Sequence, residues 1–177
     1  RDDEETDFIK TFASYTIDDS DFAEYGSLYV EALDDDMNDI ILDITLPTGA
    51  TGLVPGVYTI DDTYDPQTVH SGIYDEDYGI IPSYAAVLVE EEGELMIDKI
   101  WWIVNGTVTI DDDLNITVEA TNSLGKIVKV YLTAESGDPT AITNTAIDTK
   151  AVKTIENGQL IIEKAGLKYN VMGQQIR

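Results

Sequence analysis

The chain contains no cysteine, a single histidine and only 10 lysines and arginines against 35 aspartates and glutamates. Each shortage excludes something. Without cysteine there is no disulfide framework, no thiolate nucleophile and no Cys-based zinc site. A net charge of −25 rules out most nucleic-acid roles, which need a basic footprint to displace counterions, and disfavours anionic lipid surfaces. No apolar run reaches the roughly eighteen residues a membrane-spanning helix requires. Amphipathic helical periodicity is also missing, with no convincing stretch of about ten residues. At 177 residues the chain can bury about 70% of its unfolded surface, enough for a stable core without covalent staples.

The charge is not evenly spread. Residues 1–135 carry 31 acidic and 5 basic side chains, whereas residues 136–177 carry 4 and 5. An acidic β domain over 1–135, a linker over 136–149 and a C-terminal β-hairpin tail over 150–177 follow from that break and from the turn-rich stretch beginning Ser136-Gly137-Asp138-Pro139. The chain opens on Arg1-Asp2-Asp3-Glu4-Glu5 rather than on methionine, so a trimmed leader is expected, carrying any lipid anchor with it.

Period-two alternation dominates the body, the mark of half-buried strands. It runs through Ser27–Leu33, Asp39–Leu46, Gly56–Ile60, Ser83–Glu90, Leu95–Val104, Gly106–Ile110, Leu114–Ala120 and Lys126–Thr133. In Asp39–Leu46 the residues Ile40, Leu42, Ile44 and Leu46 share one face, with Ile41 the exception on the other. Asn105-Gly106 reads either as a hairpin turn or as a bulge within one long strand. Asp2–Phe12 is the one segment that could begin helically. The fold expected is all-β: an antiparallel meander closed as a calycin-like barrel or folded as a two-sheet sandwich, plus the C-terminal hairpin.

Three segments share a Thr-Ile-Asp-Asp core: Tyr15-Thr16-Ile17-Asp18-Asp19, Tyr58-Thr59-Ile60-Asp61-Asp62 and Val108-Thr109-Ile110-Asp111-Asp112. Their unequal spacing excludes a solenoid, and the pattern reads as a strand ending: Ile faces the core while Asp starts a turn by accepting backbone amides. The acidic loops also offer hard oxygen ligands. Asp61, Asp62 and Asp65, and separately Asp75 and Asp77, are candidate calcium ligands, although neither segment has EF-hand order and Pro66 stands where that loop needs glycine. Solvated acidic turns are the plainer alternative.

Trp101 and Trp102 are consecutive on a strand, so their side chains leave opposite faces, one toward the core and one toward the outside or a cleft. With Tyr64, Tyr74 and Tyr78, and with Tyr84 nearby, an exposed indole could stack on sugar rings. Catalysis finds little support. His70 sits in a Gln67-Thr68-Val69-His70-Ser71-Gly72 segment that reads as a loop with a solvated imidazole, and no nucleophile elbow or phosphate loop occurs. The abundance of carboxylates makes any acid pair uninformative.

The tail reads as strand, turn, strand around Glu156-Asn157-Gly158-Gln159, where Asn-Gly favours a type I′ turn. Its ending, Lys168-Tyr169-Asn170-Val171-Met172-Gly173-Gln174-Gln175-Ile176-Arg177, resembles the short C-terminal sorting tails of secreted Bacteroidetes proteins, which close on Tyr-Asn-x-x-Gly-Gln and a basic residue. Gly56-Val57-Tyr58-Thr59-Ile60 and the block Gly106 through Lys126 are similar to repeats in uncharacterised Bacteroides surface lipoproteins. The resemblance implies an extracellular or outer-membrane address, a tail read by export and attachment machinery, and no known activity. The expectation is therefore a non-enzymatic, adhesin-like secreted or cell-surface module that binds a protein or glycan, with calcium the one cofactor the loops admit. A carbohydrate-binding accessory protein and a structural spacer are the alternatives.

Overall fold

The computed structural model describes residues 2–134 in full and, beyond them, the backbone of four short strands. The chain divides into two compact units, Arg1–Ala134 and Glu135–Arg177. In chain order the first unit holds β1 (Phe8–Phe12), β2 (Thr16–Asp18), the one-turn helix α1 (Phe22–Tyr25), β3 (Ser27–Leu33), β4 (Asn38–Thr45), β5 (Gly56–Asp61), β6 (Thr68–His70), β7 (Ile73–Asp75), β8 (Gly79–Ile81), β9 (Tyr84–Glu91), β10 (Glu94–Trp102), β11 (Asn105–Ile110), β12 (Ile116–Thr121) and β13 (Ile127–Leu132). The second holds β14 (Val152–Glu156), β15 (Gln159–Lys164), β16 (Leu167–Tyr169) and β17 (Gln175–Ile176).

The all-β expectation holds. Eleven strands of the first unit form one nearly closed, barrel-like sheet in the order β1-β13-β12-β11-β5-β6-β4-β3-β2, with β9 added beside β4 and β10 beside β9. Strands β7 and β8 form a separate two-stranded ribbon. Two contacts depart from an antiparallel meander: β1 runs parallel to β13, and β5 parallel to β6. Inward-facing residues from nearly every strand make the core, among them Phe12, Leu28, Val30, Ile40, Leu42, Ile44, Tyr58, Val69, Val108, Ile116, Val118 and Val130. Apart from Phe12 and Val69, these are the alternate positions of the period-two pattern, which is why those strands are legible in the sequence.

The N-terminal segment corrects the helical reading of Asp2–Phe12. It is an extended strap ending in β1, pinned by its own acids. Asp3 Oδ1 accepts from the Trp102 amide (3.0 Å) and Asn122 Nδ2 (2.9 Å), Asp3 Oδ2 accepts from the Ser123 amide (2.8 Å), and Asp7 Oδ1 accepts from the Ile127 amide (2.9 Å). The buried pair Phe8 and Phe12 lies four apart, a spacing that suits one face of a helix and one face of a strand equally.

The Thr-Ile-Asp-Asp segments end strands as expected. Asp18 accepts from the Ser20 amide (2.9 Å), Asp61 from the Thr63 amide (3.0 Å) and Asp111 from the Asp113 amide (2.9 Å), each closing a local turn after an inward-facing Ile. Asn105-Gly106 is neither a hairpin nor a bulge in a longer strand. It opens β11, while β10 has already ended at Trp102 against a different neighbour. Gly106 is required there because a Cβ would fall 2.1 Å from the Glu119 carbonyl oxygen.

The feature that positions the candidate site is a fork along one edge of β4. Its first half pairs with β9 (Asn38↔Val87 to Ile41↔Tyr84), and its last two residues pair with β6 (Ile44↔Val69, Thr45↔Thr68). Ser83 fills the gap, its Oγ accepting from the Asp43 amide at 2.9 Å while its own amide donates to the His70 carbonyl at 3.1 Å. The packing is close enough that a Cβ on Gly72 would lie 1.8 Å from the Ser83 carbonyl oxygen, so only glycine fits.

In the second unit, β14 pairs with β15 so that Glu156 faces Gln159, and β16 and β17 extend this into a four-stranded antiparallel sheet. The expected hairpin is thus the first half of a slightly larger meander. The linker expected over 136–149 and most of the tail's final residues lie outside the described residues.

Candidate functional site

Side chains opposite one another on adjacent strands share a face. On the outer face of the large sheet, the strand registers place Asp18 of β2 beside Tyr29 of β3, and Tyr29 beside Asp43 of β4. Continuing the β4–β6 register by one residue sets His70 opposite Asp43, and His70 pairs in turn with Asp61 of β5. Acids and aromatics therefore alternate in a row across five strands. The Tyr64 ring lies over the His70 imidazole, centroids 4.0 Å apart and planes within 8°. His70 Nδ1 is 3.0 Å from the Pro82 carbonyl, which can only accept, so Nδ1 carries the proton.

Above this row opens a cleft of about 450 Å³ lined by Asp21, Tyr25, Ser27, Tyr29, Asp43 and Tyr64. The helix α1 supplies its rim. Asp21 occupies the N-cap position yet makes no side-chain capping bond, and Gly26 ends the helix in the left-handed conformation that turns the chain into β3. Tyr25 and Tyr64 are exposed, while Asp43 is 3% exposed and its Oδ1 has no hydrogen-bond partner. Burial raises the Asp43 carboxyl to a pKa of about 6; His70 and Ser27 pull it back, and the Asp21 charge pushes it up. Burial also raises the Tyr29 and Tyr64 hydroxyls, with the Asp43 charge adding to both. A buried carboxylate with an unsatisfied oxygen is costly and demands a reason.

The same face of β4 carries two further unpartnered atoms, Asp39 Oδ1 and Thr45 Oγ1. Asp39 is raised to about 7 by burial and by Glu31. Tyr84, across the strand pair from Ile41, is pushed to about 12 by burial and then by Asp39 and Glu31.

The expected residues fall in several places. Trp101 and Trp102 do leave opposite faces, but neither is exposed, at 4% and 5%. Trp101 packs on Phe8 (4.9 Å) and donates to the Thr6 carbonyl (2.6 Å). Trp102 meets Tyr84 edge-on (6.1 Å) in a small second cluster with Ala86 and Ile100. Trp101 is buried against the strap and Trp102 against Tyr84 of β9, so neither indole is an open stacking platform. Trp102 does form one wall of a cleft of about 610 Å³ with Tyr74, Asp2, Asp3, Glu5 and Leu124. Tyr64 belongs to the tyrosine cleft instead, and Tyr78, 84% exposed, lies in the turn between β7 and β8.

Asp61 and Asp75 act as turn caps: Asp61 Oδ1 accepts from the Thr63 amide and hydroxyl, and Asp75 Oδ1 accepts from the Asp77 and Tyr78 amides. Among the described residues, Asp62, Asp65 and Asp77 join no group of three or more His, Asp or Glu able to hold a metal ion. His70, expected as a solvated loop side chain, is buried in a strand.

Asp43, Tyr29, Tyr25 and Asp21 were not singled out by sequence reasoning. Asp43 is hidden inside an apolar run, and its only sequence signal is that Asp39, Ile41 and Asp43 alternate with core residues along a strand buried on both faces. The chain matches no protein-family model, no curated protein and no solved structure.

Proposed function

We propose that the chain is a non-enzymatic binding module of the secreted or cell-surface kind, and that it holds its ligand in the tyrosine cleft. One observation carries this reading: three tyrosines surround a buried carboxylate whose Oδ1 lacks a partner, in a concave site on the large sheet. Aromatic surface with few, well-placed polar groups is the usual make-up of a small-ligand site. The sorting-like ending of the tail supports the address, in the manner of secreted Bacteroidetes proteins, and the neutral second unit is the part we assign to export or attachment.

Non-enzymatic character fits the surroundings of His70, whose Nδ1 is committed to a carbonyl and whose ring is covered by Tyr64. Glycan binding, the alternative, draws on the same tyrosines rather than on Trp101 or Trp102.

The test is ring-proton NMR of the full chain titrated with a panel of soluble oligosaccharides and small organic cations. Perturbation of Tyr25, Tyr29 and Tyr64 by at least one compound, lost in Tyr25→Ala, is expected. A panel that leaves all three rings unmoved, or perturbs Tyr74 and Trp102 instead, overturns the assignment of the cleft.

A further inference from the structure

The cleft has a chemical bias that narrows its ligand. Two carboxylates, Asp21 and Asp43, border it together with three phenol rings, and among the described residues no lysine or arginine does. The Asp21 charge acts on Asp43 strongly enough to raise its carboxyl, so the two lie within electrostatic reach of each other. Among the described residues His70 is the one basic side chain that acts on Asp43, and its Nδ1 proton is already given to the Pro82 carbonyl.

A carboxylate buried this deeply, with one oxygen lacking a hydrogen-bond partner, is stabilised by a cation that enters beside it. Bare metal ions are poorly served. Calcium wants roughly six to eight oxygen ligands, and no such group gathers among the described residues. Aromatic surface favours a different kind of charge, weakly hydrated and spread over methyl groups, which gains from ring quadrupoles and loses little water.

Resting on the cleft reading above, we propose that the site binds an alkylated ammonium group, with Tyr25, Tyr29 and Tyr64 as its aromatic walls and Asp43, backed by Asp21, as its counter-charge. Tyr64 is braced for this role, since His70 covers one face of the ring while the residue stays 49% exposed. Asp21 is free for it, since it leaves the helix uncapped. The group could belong to a small molecule such as choline or to a methylated lysine of a peptide, and the chemistry recognised is the same.

The groups facing Asp43 set the pH response. Tyr29 faces it from β3, His70 from β6, Tyr64 from the loop above and Asp21 from the start of α1, with Asp18 beyond Tyr29. Protonating Asp43 removes the counter-charge, so affinity falls as the pH drops through about 6.

The experiment titrates the full chain with choline, with a trimethyl-lysine peptide and with 3,3-dimethylbutan-1-ol, the uncharged isostere of choline, following the tyrosine rings by NMR at pH 7.5 and pH 5. Choline or the peptide should bind about tenfold or more tightly than the isostere at pH 7.5. The preference should collapse at pH 5 and in Asp43→Asn, a near-isosteric change. Stronger binding of choline identifies a free small molecule as the source, and stronger binding of the peptide a protein side chain; either supports the proposal. If the neutral isostere binds equally well, or only oligosaccharides move the rings, the cationic ligand is wrong while the cleft stands. If no compound moves them, both readings fall.

Discussion

At the scale of single residues, the outer face of β4 concentrates the molecule's electrostatic strain. Asp39 and Asp43 are buried, each with an oxygen lacking a partner, and each has a carboxyl raised well above the ordinary value of 3.8. A carboxyl that holds its proton more tightly when folded contributes stability that is full at low pH. That stability is lost as the pH climbs from about 4 through the folded pKa, then stays lost. For Asp39 the loss is complete above about 7, and for Asp43 above about 6. Asp39→Asn removes the buried charge while keeping the shape. It should stabilise the protein at pH 8 by roughly 2 kcal/mol, after discounting the nominal shift for relaxation and water entry. The gain should shrink steadily toward pH 4. Urea denaturation at pH 8, 6 and 4.5 measures this, and a loss of stability at pH 8 that fades as the pH falls would show that Asp39 is ionised and stabilising in the fold.

At the scale of elements, one loop is used three times. Asp34-Asp35-Asp36-Met37-Asn38, Asp111-Asp112-Asp113-Leu114-Asn115 and Asn122-Ser123-Leu124-Gly125-Lys126 each close a hairpin. In each, the first side chain accepts the amides two and four residues on, and the fourth residue is left-handed. Gly125 suits that conformation at φ 74°, whereas Met37 at φ 65° and Leu114 at φ 64° are held there by the carboxylate anchor. A side chain in this region costs about 1 kcal/mol. Met37→Gly should therefore raise stability by about 0.5–1 kcal/mol, and Gly125→Ala, with nothing near its Cβ, should lower it by about as much. Opposite signs in guanidinium melts check the pair; equal signs would mean the loops differ. The strands that alternate strictly were legible from sequence, β3 over Ser27–Leu33 to the residue. What escaped was whatever depends on distant pairing: the parallel docking of β1 on β13, the three-residue β6 that buries His70, and the fork that buries Asp43. Tyr64 could be named a binding candidate from its composition and loop position. Its partners could not, because no local pattern reports which strand lies beside β4.

At the scale of the whole molecule, charge is the governing quantity. Residues 1–135 hold 31 acids and 5 bases, and the acids that line turns are anchored to backbone amides rather than to cations. Folding brings those charges closer together, so mutual repulsion opposes the compact state, and added salt weakens it once the screening length falls below about 10 Å. The melting temperature should therefore rise by several degrees between about 10 mM and 500 mM NaCl. This screening makes a fair test of calcium only at matched ionic strength. With sodium, magnesium and calcium chlorides compared on that footing, equal midpoints would mean that the acidic turns act as a diffuse field. A calcium midpoint well above the magnesium one would mean that they form a site. In that case Asp62→Asn or Asp65→Asn, which leave the Asp61 turn cap in place, should erase the excess, whereas Asp43→Asn should not.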